Sequence, residues 1–173
     1  MLDHLQEEQL QHDSRAHREI LSLRVPDKMR HFTLHLAKYC GRLARPENRI
    51  CTLRATAVDA FIVGLATCNA LGFDVAKSMN QPSVSSTQEK PAPPLDLQVG
   101  SIADQYFSDL VDITGRMAKV CESFDHLEAI AYRQILTAAA IELCQITMLL
   151  YEGIGEDLEA AVRRRWADVE GHG

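Results

Sequence analysis

Four side chains that can bind anions or metal ions share one face of a predicted helix. In RHFTLHLAKYCGRLAR, residues 30–45, they recur at steps of three and four residues: His31, His35, Lys38 and Arg42. The cationic Lys38 and Arg42, together with His35, suit the oxygens of a phosphate group. The spacing of His31 and His35 also allows one transition metal ion, but no third ligand accompanies them at a recognisable spacing. We therefore expect this face to be solvated or to bind phosphate.

Two carboxylates lie inside predicted apolar helices, Asp59 in the first half of the chain and Glu142 in the second. A buried carboxylate is costly unless it has a partner, so two interpretations are open. Each acid is either the remnant of a metal or phosphate site or one half of a structural ion pair. The candidate partners are basic residues on neighbouring helices: Lys38 or Arg42 for Asp59, and Arg116 for Glu142.

A group of acids in the second half of the chain is the candidate metal site. Asp109 and Asp112 lie one turn apart on a predicted helix, and with Glu142 they are candidate ligands for Mg²⁺, a hard cation that prefers oxygen. Asp59 is a further candidate metal ligand. Arg116 follows Asp112 by four residues and is a candidate phosphate-binding residue, although the two side chains would also pair along the helix.

The C-terminal segment RRRW, residues 163–166, allows two interpretations. The guanidinium groups and the indole of Trp166 suit a nucleotide, by phosphate binding and by stacking. Alternatively, the arginines complement the negative end of a helix dipole and the tryptophan anchors the helix. No nucleophile motif or glycine-rich phosphate loop occurs in the sequence, so covalent catalysis is not indicated.

Six predicted helices, and no predicted strand, carry these residues. The first predicted helix, over residues 3–22, is polar, and the others cover residues 27–45, 48–71, 101–121, 126–152 and 156–170. The third and fifth of these are apolar on most sides, which is typical of central buried helices. A Pro- and Ser-rich stretch at 80–100 predicts an extended or disordered linker. The sequence therefore predicts an all-α fold.

The two halves of the chain are similar to each other. GRLAR at 41–45 aligns with GRMAK at 115–119, and LGFDV at 71–75 aligns with IGEDL at 154–158. Each half then forms a helical hairpin, repeat 1 over about residues 27–79 and repeat 2 over about 101–170. Two facing hairpins predict a four-helix-bundle core with pseudo-two-fold symmetry, plus an N-terminal and a C-terminal helix.

Length and composition limit the class of protein. With 173 residues, 46% hydrophobic and 24% charged, the chain is typical of one soluble domain over residues 1–173. A net charge of −6 argues against a nucleic-acid partner. The polar start of the chain is unlike a secretory signal, and no uncharged apolar run is long enough to cross a bilayer. The five cysteines show no paired spacing, so we expect a cytoplasmic protein with reduced thiols and no membrane partner.

The chain resembles the MazG-like, all-α nucleotide pyrophosphohydrolase superfamily. The resemblance rests on LHLAKYCGRLA and VDAFIVGLATCNALGFDV in the first half, and on ITGRMAKVCE and LYEGIGEDLEAAVRRRW in the second. It implies a Mg²⁺-dependent cleavage of nucleoside triphosphates, with the metal ion held by Glu-Glu-x-x-Glu on one helix and Glu-x-x-Asp on the next. It covers most of both hairpins but neither the first helix nor the linker.

Most of the acids that the resemblance implies are replaced. The corresponding positions hold Lys38, Tyr39, Arg42, Thr56 and Asp59 in the first half, and Asp112, Ile113, Arg116, Ala139 and Glu142 in the second. Basic residues at metal-ligand positions repel a cation. We therefore expect the family fold without its standard chemistry, in a homo-oligomeric protein that binds a nucleotide, another phosphorylated small molecule or a protein partner.

Two alternatives stay open at this point. The first is an active Mg²⁺-dependent pyrophosphohydrolase whose site is confined to the second repeat, with Asp109, Asp112 and Glu142 on the metal ion and Arg116 or Lys119 on phosphate. The second is a structural or regulatory helical module that associates through an apolar face.

Overall fold

The chain forms an all-α structure, seen in a computed structural model that describes residues 2–79 and 95–171, without the side chains of residues 47–48 and 95–99. The described part has eight helices and no strand. In chain order they are α1 (Leu2–Ala16), α2 (Arg18–Leu21), α3 (Val25–Leu43), α4 (Pro46–Leu71), α5 (Val75–Met79), α6 (Leu95–His126), α7 (Tyr132–Ile154) and α8 (Leu158–Glu170). The predicted fold class is confirmed.

The helix boundaries differ from the sequence prediction in places that have local causes. The predicted first helix is split at His17, whose φ of −137° and ψ of 44° are not helical. Pro26 and Pro46 lie in the first turns of α3 and α4, where a missing N–H is tolerated. At α8 the Asp157 carboxylate caps the helix by accepting from the backbone N–H of Ala160.

The predicted linker is shorter than expected. Residues 95–100, which the composition assigns to an extended or disordered linker, are the first turns of α6. Their Leu, Val and Gly content lacks the prolines that precede them, so nothing in their backbone prevents helix extension. The rest of the predicted linker, residues 80–94, lies outside the described part of the chain. The short helix α5 was not predicted.

Four long helices make the bundle core. Each of α3, α4, α7 and α6 packs against two of the others, in the cyclic order α3–α4–α7–α6. The pair α3 and α6 is antiparallel, because Thr33 contacts Cys121 while Cys40 contacts Thr114. Cys40 and Thr114 are 74 residues apart, which is the offset that aligns the two GR-containing segments. Equivalent positions of the two halves thus meet, as a two-fold axis between the hairpins requires.

The helix ends repeat as well. Gly72 and Gly155, which are aligned by the LGFDV and IGEDL segments, cap α4 and α7 with φ of +65° and +67°. Only glycine adopts this left-handed conformation without strain. The same turn chemistry therefore ends the central helix of each hairpin.

The predicted apolar stripes form the core. On α3, Phe32, Leu36 and Leu43 are buried, and Cys40 is half-buried; on α6 the whole predicted stripe is buried, namely Tyr106, Leu110, Ile113, Met117 and Val120. Two segments, Arg49–Leu71 and Tyr132–Ile154, are long and apolar enough to span a membrane. They are α4 and α7, which pack on each other at the bundle centre, and core helices commonly pass this test. The packing is compatible with a soluble protein.

The helices α1 and α8 lie over one side of the bundle. Both contact α4 and each other. Their contact includes ion pairs of Glu8 with Arg163 and of Arg15 with Glu170. This layer covers the first hairpin around Asp59, which creates a pocket between α1, α2, α3, α4 and α8.

Candidate anion-binding pocket

A pocket of about 300 Å³ lies between the first hairpin and its cover. This volume is at the lower end of the range for small-molecule sites. Four of the seven histidines of the chain line it, together with acids, bases and an apolar wall. Its polar lining includes Gln9, His12, Asp13, His17, Glu19, His31, His35, Lys38, Tyr39, Arg42, Asp59 and Arg165, and its apolar wall includes Ile62, Val63, Ala66 and Trp166.

Two guanidinium groups hold the Asp59 carboxylate at one end of the pocket. Arg42 of α3 donates through Nη1 to Oδ2 at 3.3 Å, and Arg165 of α8 donates through Nε to Oδ1 at 2.6 Å. The Asp59 side chain is 10% exposed. This contact confirms the predicted Arg42–Asp59 pair and adds a partner from the far end of the sequence. A guanidinium has more N–H donors than one carboxylate oxygen takes, so further acceptors can bind here.

Lys38, the other basic residue of the predicted stripe, contacts His35 rather than Asp59. Lys38, a candidate partner of Asp59, instead places Nζ 3.4 Å from His35 Nδ1 and 4.9 Å from the centre of the Tyr39 ring. The hydroxyl of Tyr39 lies 3.2 Å from the same imidazole nitrogen. Lys38 has no carboxylate within ion-pair distance among the described residues, because Arg42 and Arg165 already surround Asp59.

The two stripe histidines are neutral at pH 7. Burial, with the nearby Lys38 charge, lowers the pKa of His35 to about 4. Burial also lowers the pKa of His31, whose ring centre lies 4.5 Å from that of His35. A neutral imidazole both donates and accepts a hydrogen bond, so these rings offer both functions to a ligand without adding charge. Burial likewise raises the pKa of the Tyr39 hydroxyl, which stays protonated.

The N-terminal helix supplies a wall that the sequence did not indicate. His12 is buried, its Nδ1 lies 3.1 Å from Glu170 Oε1, and its ring stacks on Trp166. Gln9 accepts a hydrogen bond from Trp166 Nε1 at 2.7 Å. Trp166 therefore anchors α8, as the second interpretation of the RRRW segment predicts, and it also lines the pocket. The last turn of α8 holds no basic residue, so the three arginines do not lie at the negative end of the helix dipole. Its neighbour Arg163 pairs with acids outside the pocket.

Sequence reasoning missed the α1 residues for a physical reason. His12 and Asp13 lie on a polar helix with no strong apolar stripe, and His17 follows its end, so the sequence pattern did not indicate which side of this helix packs on the bundle. Only the docking of α1 on α4 and α8 brings them to the pocket. A weak signal was present, because Gln9 and His12 are polar residues at helical spacing from the buried Leu5.

The second half of the chain has an ion triad where the sequence predicted metal ligands. Arg116 donates through Nε to Asp112 Oδ2 at 2.8 Å, and both of its terminal nitrogens donate to the Glu142 carboxylate. The guanidinium thus lies between the two acids, and Asp109 accepts from Gln105 instead. The predicted Arg116–Glu142 pair is confirmed. Arg116 was also predicted to bind phosphate together with His35, Lys38 and Arg42. It lies outside the pocket that these three residues line.

The triad is the counterpart of the pocket pair. Arg42 and Arg116 occupy aligned positions, and each donates to the acid of the next long helix, Asp59 or Glu142. The Glu142 side chain is 43% exposed, because α1 and α8 cover only the first hairpin. Within the described ranges, no group of three or more His, Cys, Asp or Glu residues is arranged to hold a metal ion. Of the predicted site residues, the pocket brings together His35, Lys38, Arg42 and Asp59.

No family model, curated protein or solved structure matches the chain. The resemblance to the MazG-like superfamily therefore stays a prediction from the quoted motifs, and the pocket geometry carries the functional argument.

Proposed function

We propose that this protein binds a phosphorylated small molecule in the pocket beside Asp59. The observation that carries the proposal is the convergence of Lys38, Arg42 and Arg165 on one pocket. Two of the three cationic groups, Arg42 and Arg165, pair with the single Asp59 carboxylate, and Lys38 has no acid partner, so this end of the pocket has an excess of positive charge. Phosphate is the common ligand for which Arg and Lys side chains are both suited.

Asp59 acts in this proposal as a positioning residue. It orients two guanidinium groups that come from helices far apart in the sequence, and a preorganised donor set binds an anion with less loss of side-chain entropy. The neutral His35 and the Tyr39 hydroxyl offer further hydrogen bonds. The apolar wall of α4, with Ile62, Val63 and Ala66, accommodates the carbon skeleton of the ligand.

The proposal is consistent with a MazG-like fold that has lost its standard Mg²⁺ site, in a soluble and cytoplasmic protein. The alternative of an Mg²⁺-dependent pyrophosphohydrolase in the second repeat lacks support, because Arg116 occupies the space between Asp112 and Glu142. Homo-oligomerisation stays a prediction from the sequence.

Isothermal titration calorimetry with inorganic pyrophosphate and with adenosine monophosphate tests the proposal. We expect binding of at least one of these probes, weakened about tenfold by Lys38→Ala, because a charge-assisted hydrogen bond contributes about 1.5–3 kcal/mol. Lys38 has no carboxylate partner that would be left unpaired, so Lys38→Ala leaves the rest of the pocket intact. Lys119→Ala, a surface lysine of the second repeat, is the matched control and should bind as the wild type does. Absence of binding, or equal affinities in both variants, would overturn the proposal.

A further inference from the structure

The wall of the pocket that α1 contributes holds a second carboxylate in a different environment. Asp13 accepts from Gln9 Nε2 through Oδ1 at 2.7 Å, and the carbonyl oxygen of the same Gln9 side chain accepts from Trp166 at 2.7 Å. This chain of hydrogen bonds fixes the Asp13 carboxylate on the pocket surface. The position of the Asp13 carboxylate is therefore fixed by these hydrogen bonds.

Asp13 has no ion pair with a lysine or arginine among the described residues, whereas Asp59 has two. The basic side chains around Asp13 are His12, His17 and Lys28, and none of them forms an ion pair with it. Burial raises the pKa of this carboxyl group, as is typical of an acid without a close cation.

One oxygen of the Asp13 carboxylate, Oδ2, takes no hydrogen bond from a described side chain. No buried side-chain nitrogen or oxygen of the described part lacks a partner. Oδ2 is therefore not a buried atom without a partner, and Asp13 is one of the residues that line the pocket. Glu19, which also lines the pocket, adds negative charge to this region and lies 3.8 Å from His17.

We propose that the ligand is a phosphorylated amine, with its phosphate at Lys38, Arg42 and Arg165 and its ammonium group at Asp13. This inference rests on the proposed function and adds the second group of the ligand. The two kinds of charge in the pocket are carried by separate sets of residues, so a zwitterion matches both. A phosphate ester without a cation would bring an anion close to the unpaired Asp13 carboxylate and leave that acid uncompensated.

An organic ammonium fits this wall better than a metal ion does. Asp13, His12 and His17 are neighbours, but they are not arranged to hold a metal ion, and the same is true of every other such group in the described ranges. An ammonium group needs hydrogen-bond acceptors and an apolar boundary rather than a complete coordination shell. The Asp13 carboxylate and the Trp166 indole supply these.

Calorimetric titration with O-phosphoethanolamine and with ethyl phosphate tests the inference, because the two probes differ by the ammonium group. We expect the wild type to bind O-phosphoethanolamine about tenfold more tightly than ethyl phosphate, a difference of about 1.4 kcal/mol. Asp13→Asn keeps the shape and the acceptance from Gln9, and should reduce this ratio to about one. Asp3→Asn, an exposed acid on the same helix, should leave the ratio unchanged.

The outcomes separate this inference from the proposed function. Equal binding of the two probes by the wild type would overturn the inference and leave phosphate binding in place. A preference that survives in Asp13→Asn would also overturn it, because the ammonium group would then lie elsewhere. Binding of neither probe would count against the proposed function itself. The wild-type comparison does not depend on how well any variant folds.

Discussion

The Nε of Arg165 lies 2.6 Å from Oδ1 of Asp59, although the two residues are 106 positions apart. This hydrogen bond joins the last helix to the central helix of the first hairpin. Arg42 donates to the other oxygen, so one buried acid holds two guanidinium groups at the same end of the pocket. The counterpart Glu142 has Arg116 and no helix above it, so its ion pair stays at the surface.

Neutralising Asp59 should cost more stability than neutralising its counterpart. In Asp59→Asn two arginines lose the charge of a carboxylate that is 10% exposed, and we expect the free energy of unfolding to fall by about 1–3 kcal/mol. In Glu142→Gln the acid is 43% exposed, and solvent screening limits the loss to about 1 kcal/mol or less. Urea denaturation of both variants measures the difference. Equal losses would show that the covering helices add nothing to the Asp59 pairs.

Acid should destabilise the protein partly through His35. Its pKa is lowered from 6.5 to about 4 by burial and by Lys38, so between these values the unfolded chain binds a proton that the folded chain does not. The free energy of unfolding therefore falls as the pH is lowered through this window. Urea denaturation from pH 7 to about pH 4.5 should show a smaller decrease for His35→Gln than for the wild type. The exposed His4 provides the control His4→Gln, which should retain the wild-type decrease.

Removing Arg116 should create a weak cation site. The guanidinium now occupies the space between Asp112 and Glu142, and without it two carboxylates face each other unpaired. We expect millimolar Mg²⁺ to raise the Tm of Arg116→Ala by about 2–4 °C relative to EDTA. Arg18→Ala is the control, because it changes the net charge by the same amount. Arg18 donates to a backbone carbonyl, so its removal should create no cation site. A wild-type Tm that rises as much as that of Arg116→Ala would instead favour a metal site that coexists with Arg116.

At Gly64 the helices α4 and α7 pack closely. A Cβ built there would lie 2.9 Å from Cys144 Sγ and 3.6 Å from the Ala140 carbonyl oxygen. Gly64→Ala should therefore destabilise the protein by about 1–3 kcal/mol through overpacking. Gly41 and Gly115, at exposed helical positions with no such neighbour, should gain about 0.5–1 kcal/mol as alanines. Thermal unfolding of the three variants checks the opposite signs, and a stable Gly64→Ala would contradict tight packing.

Much of the bundle was predictable because it depends on local periodicity. The apolar stripes of α3 and α6, the two apolar helices and the Gly-ended hairpins follow from spacings within one or two helices. The pairs Arg42–Asp59 and Arg116–Glu142 could also be predicted from the sequence, since each joins neighbouring helices of one hairpin. Helix ends were less accurate: the split at His17 and the early start of α6 depend on backbone geometry that composition does not specify.

The sequence by itself thus determined the helices, the pairing of equivalent hairpins and the cationic face of α3. Only the tertiary structure decided which hairpin α1 and α8 cover, and so which of the two ion pairs lies beside a pocket. It brought Asp13 from α1 and Arg165 from α8 to the same space as Lys38. The physical reason is that hydrophobic spacing sets which face of a helix is buried, whereas the docking of α1 and α8 depends on side-chain contacts between residues more than 100 positions apart, such as Gln9 with Trp166.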